Sequence, residues 1–181
     1  MTEIENIYEQ LFMLVMRGNV NGKASTIIDT FSGWLISGFA AASTLFVSQY
    51  KSIQENISIC GIQWFIYLFI AALILAIFQK FIAVIVASHS MGSSVGYELG
   101  KEFKKNNVVL NREFIFNETE KGMLPFVRWC ASDILTAARN GDFVSSSRNF
   151  TRLCQYQGLL TLIQAIVTLF AIRIIATTFH A

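Results

Sequence analysis

The sequence predicts an all-α integral membrane protein. About three transmembrane helices are expected, with long helices extending into a cytoplasmic helical domain. Three observations carry this. Of 181 residues, 54% are hydrophobic and 14% charged, and the mean hydropathy is +0.51. A water-soluble domain averages about 25% charged residues, so too few charges are present to coat a globule of this size. Next, three long stretches are almost free of charge: Thr30–Tyr50, Asn56–Gln79 and Leu153–Ile172. Each meets the requirement of about 20 apolar residues for a helix that crosses a bilayer. Finally, apolar residues outside these stretches recur at three- and four-residue steps, the period of a helix with one buried face.

The elements follow in order. Ile4, Ile7, Tyr8, Leu11, Phe12 and Val15 mark an amphipathic helix within residues 1–26, opened by a capping box at Thr2 and Glu5 and ended near Gly18 and Gly22. It either packs on the cytoplasmic domain or lies on the membrane surface. A transmembrane hairpin occupies 27–87, with spans near 28–49 and 63–87. The second span continues as a helix through Gly92, Gly96 and Gly100, whose four-residue spacing sets three glycines near one face. A cytoplasmic helical domain covers 88–156. In it, Val108–Phe116 reads as β-like or extended, Asn117–Lys121 as a turn or cap region, and Gly122–Arg139 as a helix with Pro125 in its first turn. Asp142 is placed to cap the next helix. That helix runs into the last span and tail, 157–181.

The basic residues orient the chain. Nine Lys/Arg fall within 88–157, against Lys51 alone in the 51–62 loop. By the positive-inside tendency the N-terminus and the central domain face the cytoplasm. The acidic N-terminal segment lacks the basic start of a cleaved signal peptide. Location in an inner (plasma) membrane as a multi-pass protein is the expectation.

Enzymatic chemistry finds little support. No nucleophile-elbow, zinc-protease or phosphate-loop motif occurs. Ser90, Ser93 and Ser94 lie near His89 without a pattern that makes a nucleophile. Cys60, Cys130 and Cys154 are widely spaced, and only two histidines are present, so neither a metal site nor a cofactor is expected. Arg173 and His180 match the Arg-x(4–6)-His spacing of a family of RNA-cleaving helical domains, but at the outer end of a span.

Charges within the spans carry more information. Ionisable groups in a membrane usually face a protein interior or a watery cavity. Lys80 lies in the second span and Asp29 opens the first on the same side, so the two are candidate partners. Alternatively, Lys80 reaches to the interface along its aliphatic stem. Arg173, near the outer end of the third span, either does the same or joins a cationic ring around a pore. Few polar groups are expected in the spans. Gly38 and Ala42 form a close-packing face, as do Gly92, Gly96 and Gly100, which favours self-association. Phe126, Trp129 and Arg152 are candidate partner-binding residues of the central domain.

Residues 21–45, NGKASTIIDTFSGWLISGFAAASTL, resemble small bacterial membrane proteins of antiviral defence loci, with the likeness concentrated in Asp29–Ala42. Closest in size and layout are the membrane accessory proteins of type VI-B CRISPR systems; the Kiwa membrane subunit is a second candidate. The first resemblance implies a homo-oligomeric inner-membrane pore that depolarises the membrane when an RNA-guided nuclease system is active. That family's degenerate RNase-like motif would fall on Arg152 or Arg173, neither of which has a histidine partner on the cytoplasmic side. The expected function is therefore a self-assembling pore or channel in the lipid bilayer, and no enzyme. The alternative is a membrane-anchored sensor or scaffold that recruits a cytoplasmic effector.

Overall fold

A computed structural model describes residues 3–48, 59–106 and 111–178, and every regular element in them is helical. Five helices occur: α1 Glu3–Ser48, α2 Ile59–Lys105, α3 Arg112–Lys121, α4 Pro125–Arg139 and α5 Phe143–Thr178. Three of them, α1, α2 and α5, are long and apolar enough to cross a membrane. Their lengths of 46, 47 and 36 residues correspond to roughly 70, 70 and 54 Å at a rise of 1.5 Å per residue. A hydrocarbon core is about 30 Å thick, so each helix exceeds a single crossing.

The expected break near Gly18 and Gly22 does not occur, and α1 passes through both. Each glycine costs a helix about 1 kcal/mol relative to alanine. Close approach to α2 offsets that cost. A Cβ on Gly22 would lie 2.8 Å from Ser90 Cβ, and one on Gly18 would lie 2.5 Å from Ser93 Oγ. The two glycines let the backbones meet, and the helix continues. The capping pair Thr2 and Glu5 cannot be assessed, because Thr2 lies outside the described residues.

The extended reading of Val108–Phe116 is corrected where it can be compared. Residues 108–110 lie outside the described residues, and from Arg112 the chain is helical. Asn111 caps α3 by accepting a hydrogen bond from Phe114 N at 3.1 Å. This local bond outweighs the β-like run of Phe and Ile. Asn117–Lys121 is the second half of that helix and not a turn. Gly122 belongs to its C-cap, with its N–H on Glu118 O at 3.2 Å. Consequently α4 starts at Pro125, where a missing N–H costs nothing. Gly141 adopts φ +78°, a conformation that L side chains resist, and so turns the chain after α4. Asp142 caps α5 as expected, its Oδ1 accepting from Ser145 N at 2.9 Å.

The chain divides into two compact units. One comprises residues 1–23 and 86–153, here the helical unit. The other comprises 24–85 and 154–181, here the span unit. In the helical unit, α3 packs on α4 through Glu120. Its carboxylate receives Arg139 Nη2 at 2.8 Å and Arg128 Nη2 at 3.0 Å. Asn21 donates to Thr151 Oγ1 at 3.0 Å, which joins the first part of α1 to α5.

The span unit is a three-helix bundle with a seven-residue repeat. Buried positions are Ser25, Ser32 and Phe39 on α1, Phe65, Ala72 and Gln79 on α2, and Gln157, Gln164 and Ala171 on α5. A sustained step of seven keeps one seam facing the neighbours and goes with a left-handed supercoil. In this unit α1 and α5 are parallel, since Ser25 bonds to Gln157 and Ser32 to Gln164 at the same offset of 132 residues. Helices α1 and α2 are antiparallel, with Phe39 edge-on to Phe65 at 5.3 Å and Asp29 joined to Lys80.

Candidate functional site

The span unit inverts the usual polarity of a soluble core. Buried in it are Ser25, Ser32, Gln79, Gln157, Thr161, Gln164 and Thr168, and the glutamines are 0% exposed. Its outer surface carries Trp34, Ile77, Phe81 and Leu169, each 64–73% exposed. Water would penalise that arrangement on both counts. A bilayer favours it, because lipid solvates the apolar exterior and polar groups find partners only between helices. The expectation of few polar groups in the spans is thereby corrected.

Most of the seam satisfies itself. Ser32 Oγ donates to Gln164 Oε1 at 2.7 Å, and Gln157 Nε2 donates to Ser25 O at 3.1 Å. Thr161 and Thr168 turn back to the carbonyls of Gln157 and Gln164 at 3.0 and 2.9 Å, the local bond that lets threonine sit inside a helix bundle. The seam is closed at one end by a dry layer. Phe39, Phe65, Ala72 and Ala171 form one buried cluster, and Phe69 meets Phe39 edge-on at 5.0 Å.

Asp29 and Lys80 form the ion pair anticipated for them. Lys80 Nζ lies 2.8 Å from both carboxylate oxygens. The pair is not enclosed, for the lysine side chain is 54% exposed and the aspartate 30%. Arg173 lies two residues beyond Ala171, on the opposite side of α5 from the buried positions, and is exposed. No ion pair to it occurs among the described residues. The three charges thus form one pair and one separate group, with Lys80 and Arg173 exposed and Asp29 half-buried.

The glycine and alanine positions behave differently from Gly18 and Gly22. A Cβ at Gly38, Gly92, Gly96 or Gly100 would meet nothing within 4 Å, and Ala42 is exposed. Among the described residues, nothing packs closely on these positions. Trp129 is 74% exposed and Arg152 is exposed. The Phe126 side chain and His180 lie outside what is described.

In the helical unit, His89 stacks face to face on Phe150, with ring centroids 3.5 Å apart and planes 7° from parallel. Burial pushes its pKa down to about 4 from 6.5. Ser90 and Ser93 face Gly22 and Gly18, and the hydroxyls of Ser93 and Ser94 donate to Ser90 O at 2.9 and 3.2 Å.

The glutamine seam was missed by sequence reasoning, although a signal was present. Gln157, Thr161, Gln164 and Thr168 recur at alternating steps of four and three inside an apolar stretch. That spacing puts four polar groups on one helical face. No protein-family model matches the sequence, and neither a curated protein nor a solved structure is similar to it.

Proposed function

We propose that this protein assembles with copies of itself into a pore or channel in a bacterial inner membrane, with the helical unit on the cytoplasmic side as receiver of the opening signal. One observation carries the reading. Lys80 and Arg173 lie in apolar helices long enough to cross a bilayer, yet both are exposed on the outside of the bundle, where Lys80 pairs with the half-buried Asp29. A lipid-facing charge is costly, and intramembrane charges gather at protein interfaces and aqueous cavities. The Phe39, Phe65, Ala72 and Ala171 cluster closes the seam of a single bundle at one end, so a continuous watery lumen requires several copies. The uncovered Gly38 and Ala42 face and the Gly92–Gly100 stripe suit close contact between them. Its resemblance to membrane accessories of antiviral defence suggests an RNA-guided nuclease system as the source of the signal.

The test is reconstitution into liposomes loaded with a self-quenching dye, with the detergent-purified assembly sized in parallel by single-particle imaging. A closed ring and leaky liposomes are expected, with leakage reduced by Arg173→Leu. A monomer and tight liposomes would overturn the proposal.

A second reading rests on a different observation. Phe114, Leu124 and Trp129 of the helical unit are 63%, 72% and 74% exposed, a large apolar display for an aqueous surface. A membrane-anchored scaffold would use them to recruit a soluble effector. Co-purification of one protein from the native host, lost in Trp129→Ser, would favour this reading over the pore.

A further inference from the structure

Beside Asp29 Oδ1, which Lys80 meets as an ion pair, three buried polar atoms of the span unit have no hydrogen-bond partner among the described residues: Gln79 Nε2, Gln79 Oε1 and Gln157 Oε1. Both residues are 0% exposed. Unmatched polar groups at that depth are rare in folded proteins and costly to keep.

The seven-residue repeat places them together. Phe39, Phe65 and Ala171 share the dry cluster. Stepping seven residues along each helix leads to Ser32, Ala72 and Gln164, where Ser32 and Gln164 are bonded. A further seven leads to Ser25, Gln79 and Gln157, where Gln157 bonds the Ser25 carbonyl. The orphaned atoms therefore occupy a single layer, contributed by α2 and α5 against α1. Asp29 follows Ser25 by one turn, and Lys80 directly follows Gln79, so the ion pair flanks the same layer.

No direct bond joins the two carboxamides, since Gln79 Nε2, Gln79 Oε1 and Gln157 Oε1 all lack a partner. Gln157 Nε2 places one N–H on Ser25 O at 3.1 Å, and its second N–H remains to be matched. A small molecule that both donates and accepts resolves the deficit, and water is the smallest. Buried waters typically make about three hydrogen bonds to such groups. We propose that the Ser25–Gln79–Gln157 layer is a binding site for ordered water within each subunit, set beside the Asp29–Lys80 pair and sealed on one side by the Phe39–Phe65 layer. The site does not depend on the pore reading, since it lies inside one bundle and forms whether or not copies assemble.

Water-edited solid-state NMR on the full-length, isotope-labelled protein in lipid bilayers tests this directly. Magnetisation passes from mobile or bound water to nearby protein protons. The side-chain amides of Gln79 and Gln157 are expected to build up signal severalfold faster than that of Gln164, whose carboxamide is held by Ser32 in the next layer. Gln79→Leu identifies its own resonance and should slow the build-up at Gln157 toward the Gln164 rate. Equal, slow build-up at all three glutamines in the unmodified protein would overturn the proposal. It would show a dry layer whatever the behaviour of the variant. Dye leakage from the same liposomes is scored separately, so failure of the pore reading leaves this outcome legible.

Discussion

The two units solve opposite solvation problems with the same helices. In the span unit, serines, threonines and glutamines are inside and aromatic and branched side chains are outside. In the helical unit the ionic contacts join partly buried Glu120 to the more exposed Arg128 and Arg139. The backbones also meet differently. Gly18 and Gly22 admit Ser93 and Ser90 closely, whereas the span-unit seam is filled by long glutamines and an aromatic layer. A glycine in the helical unit lets helices meet, whereas in the span unit long polar side chains hold them together.

The largest effect that separates the units should come from crowding the glycine contact. Gly22→Leu inserts a side chain where even a Cβ would be 2.8 Å from Ser90 Cβ. A loss of about 3 kcal/mol in unfolding free energy is expected, measured by denaturant titration in mixed micelles. Gly96→Ala, at an open position, should instead gain up to about 1 kcal/mol through helix propensity. A loss there in the assembled protein, but not in the monomer, would locate contact between copies on that stripe.

Next in size is the span-unit seam. Gln164→Leu strands the buried hydroxyl of Ser32 and should cost about 2 kcal/mol. Adding Ser32→Ala should recover much of it, because removing both partners leaves no orphaned group. If the double variant is as weak as the single one, the bond is not what holds α1 to α5.

A smaller effect is expected in the helical unit. Glu120→Ala releases two arginines that are 61% and 32% exposed, so solvent screening limits the loss to about 1 kcal/mol. Hydrogen exchange should speed up in α3 and α4 and stay unchanged in the span unit. Equal acceleration in both would show the units to be one cooperative whole.

The subtlest test is pH. His89 follows the predicted end of the second span, and its folded pKa of about 4 lies below the ordinary 6.5. Between those values the unfolded chain binds more protons than the folded one. Its contribution to stability is thus complete above pH 6.5, declines as pH falls toward 4, and is constant below that. His89→Phe keeps an aromatic ring on Phe150 and should remove this part of the pH dependence.

Much of this architecture was legible in the residues themselves. Scarcity of charge and three long apolar runs require helices that lipid can solvate. The pairing of Asp29 with Lys80 follows from two opposite charges at matching depth in adjacent spans. Asp142 as a cap and Pro125 at a helix start express local backbone chemistry, which needs no distant partner. Other features needed tertiary contacts. Gly18 and Gly22 read as a helix end, because a glycine's cost is local while its compensation, Ser90 and Ser93, is some 70 residues away. Asn111 turned an extended-looking segment into α3 through one side-chain bond. The periodicity of Gln157, Thr161, Gln164 and Thr168 marks a polar face, but whether that face meets water, a lumen or another helix depends on which surfaces the folded chain brings opposite it. The sequence by itself determined the solvent for which this protein is built and the helices that meet it. Only the tertiary structure decided that its polar stripe turns inward, because an unpaired amide costs more in lipid than between helices, and that its open glycines, Lys80 and Arg173 are left on the outside.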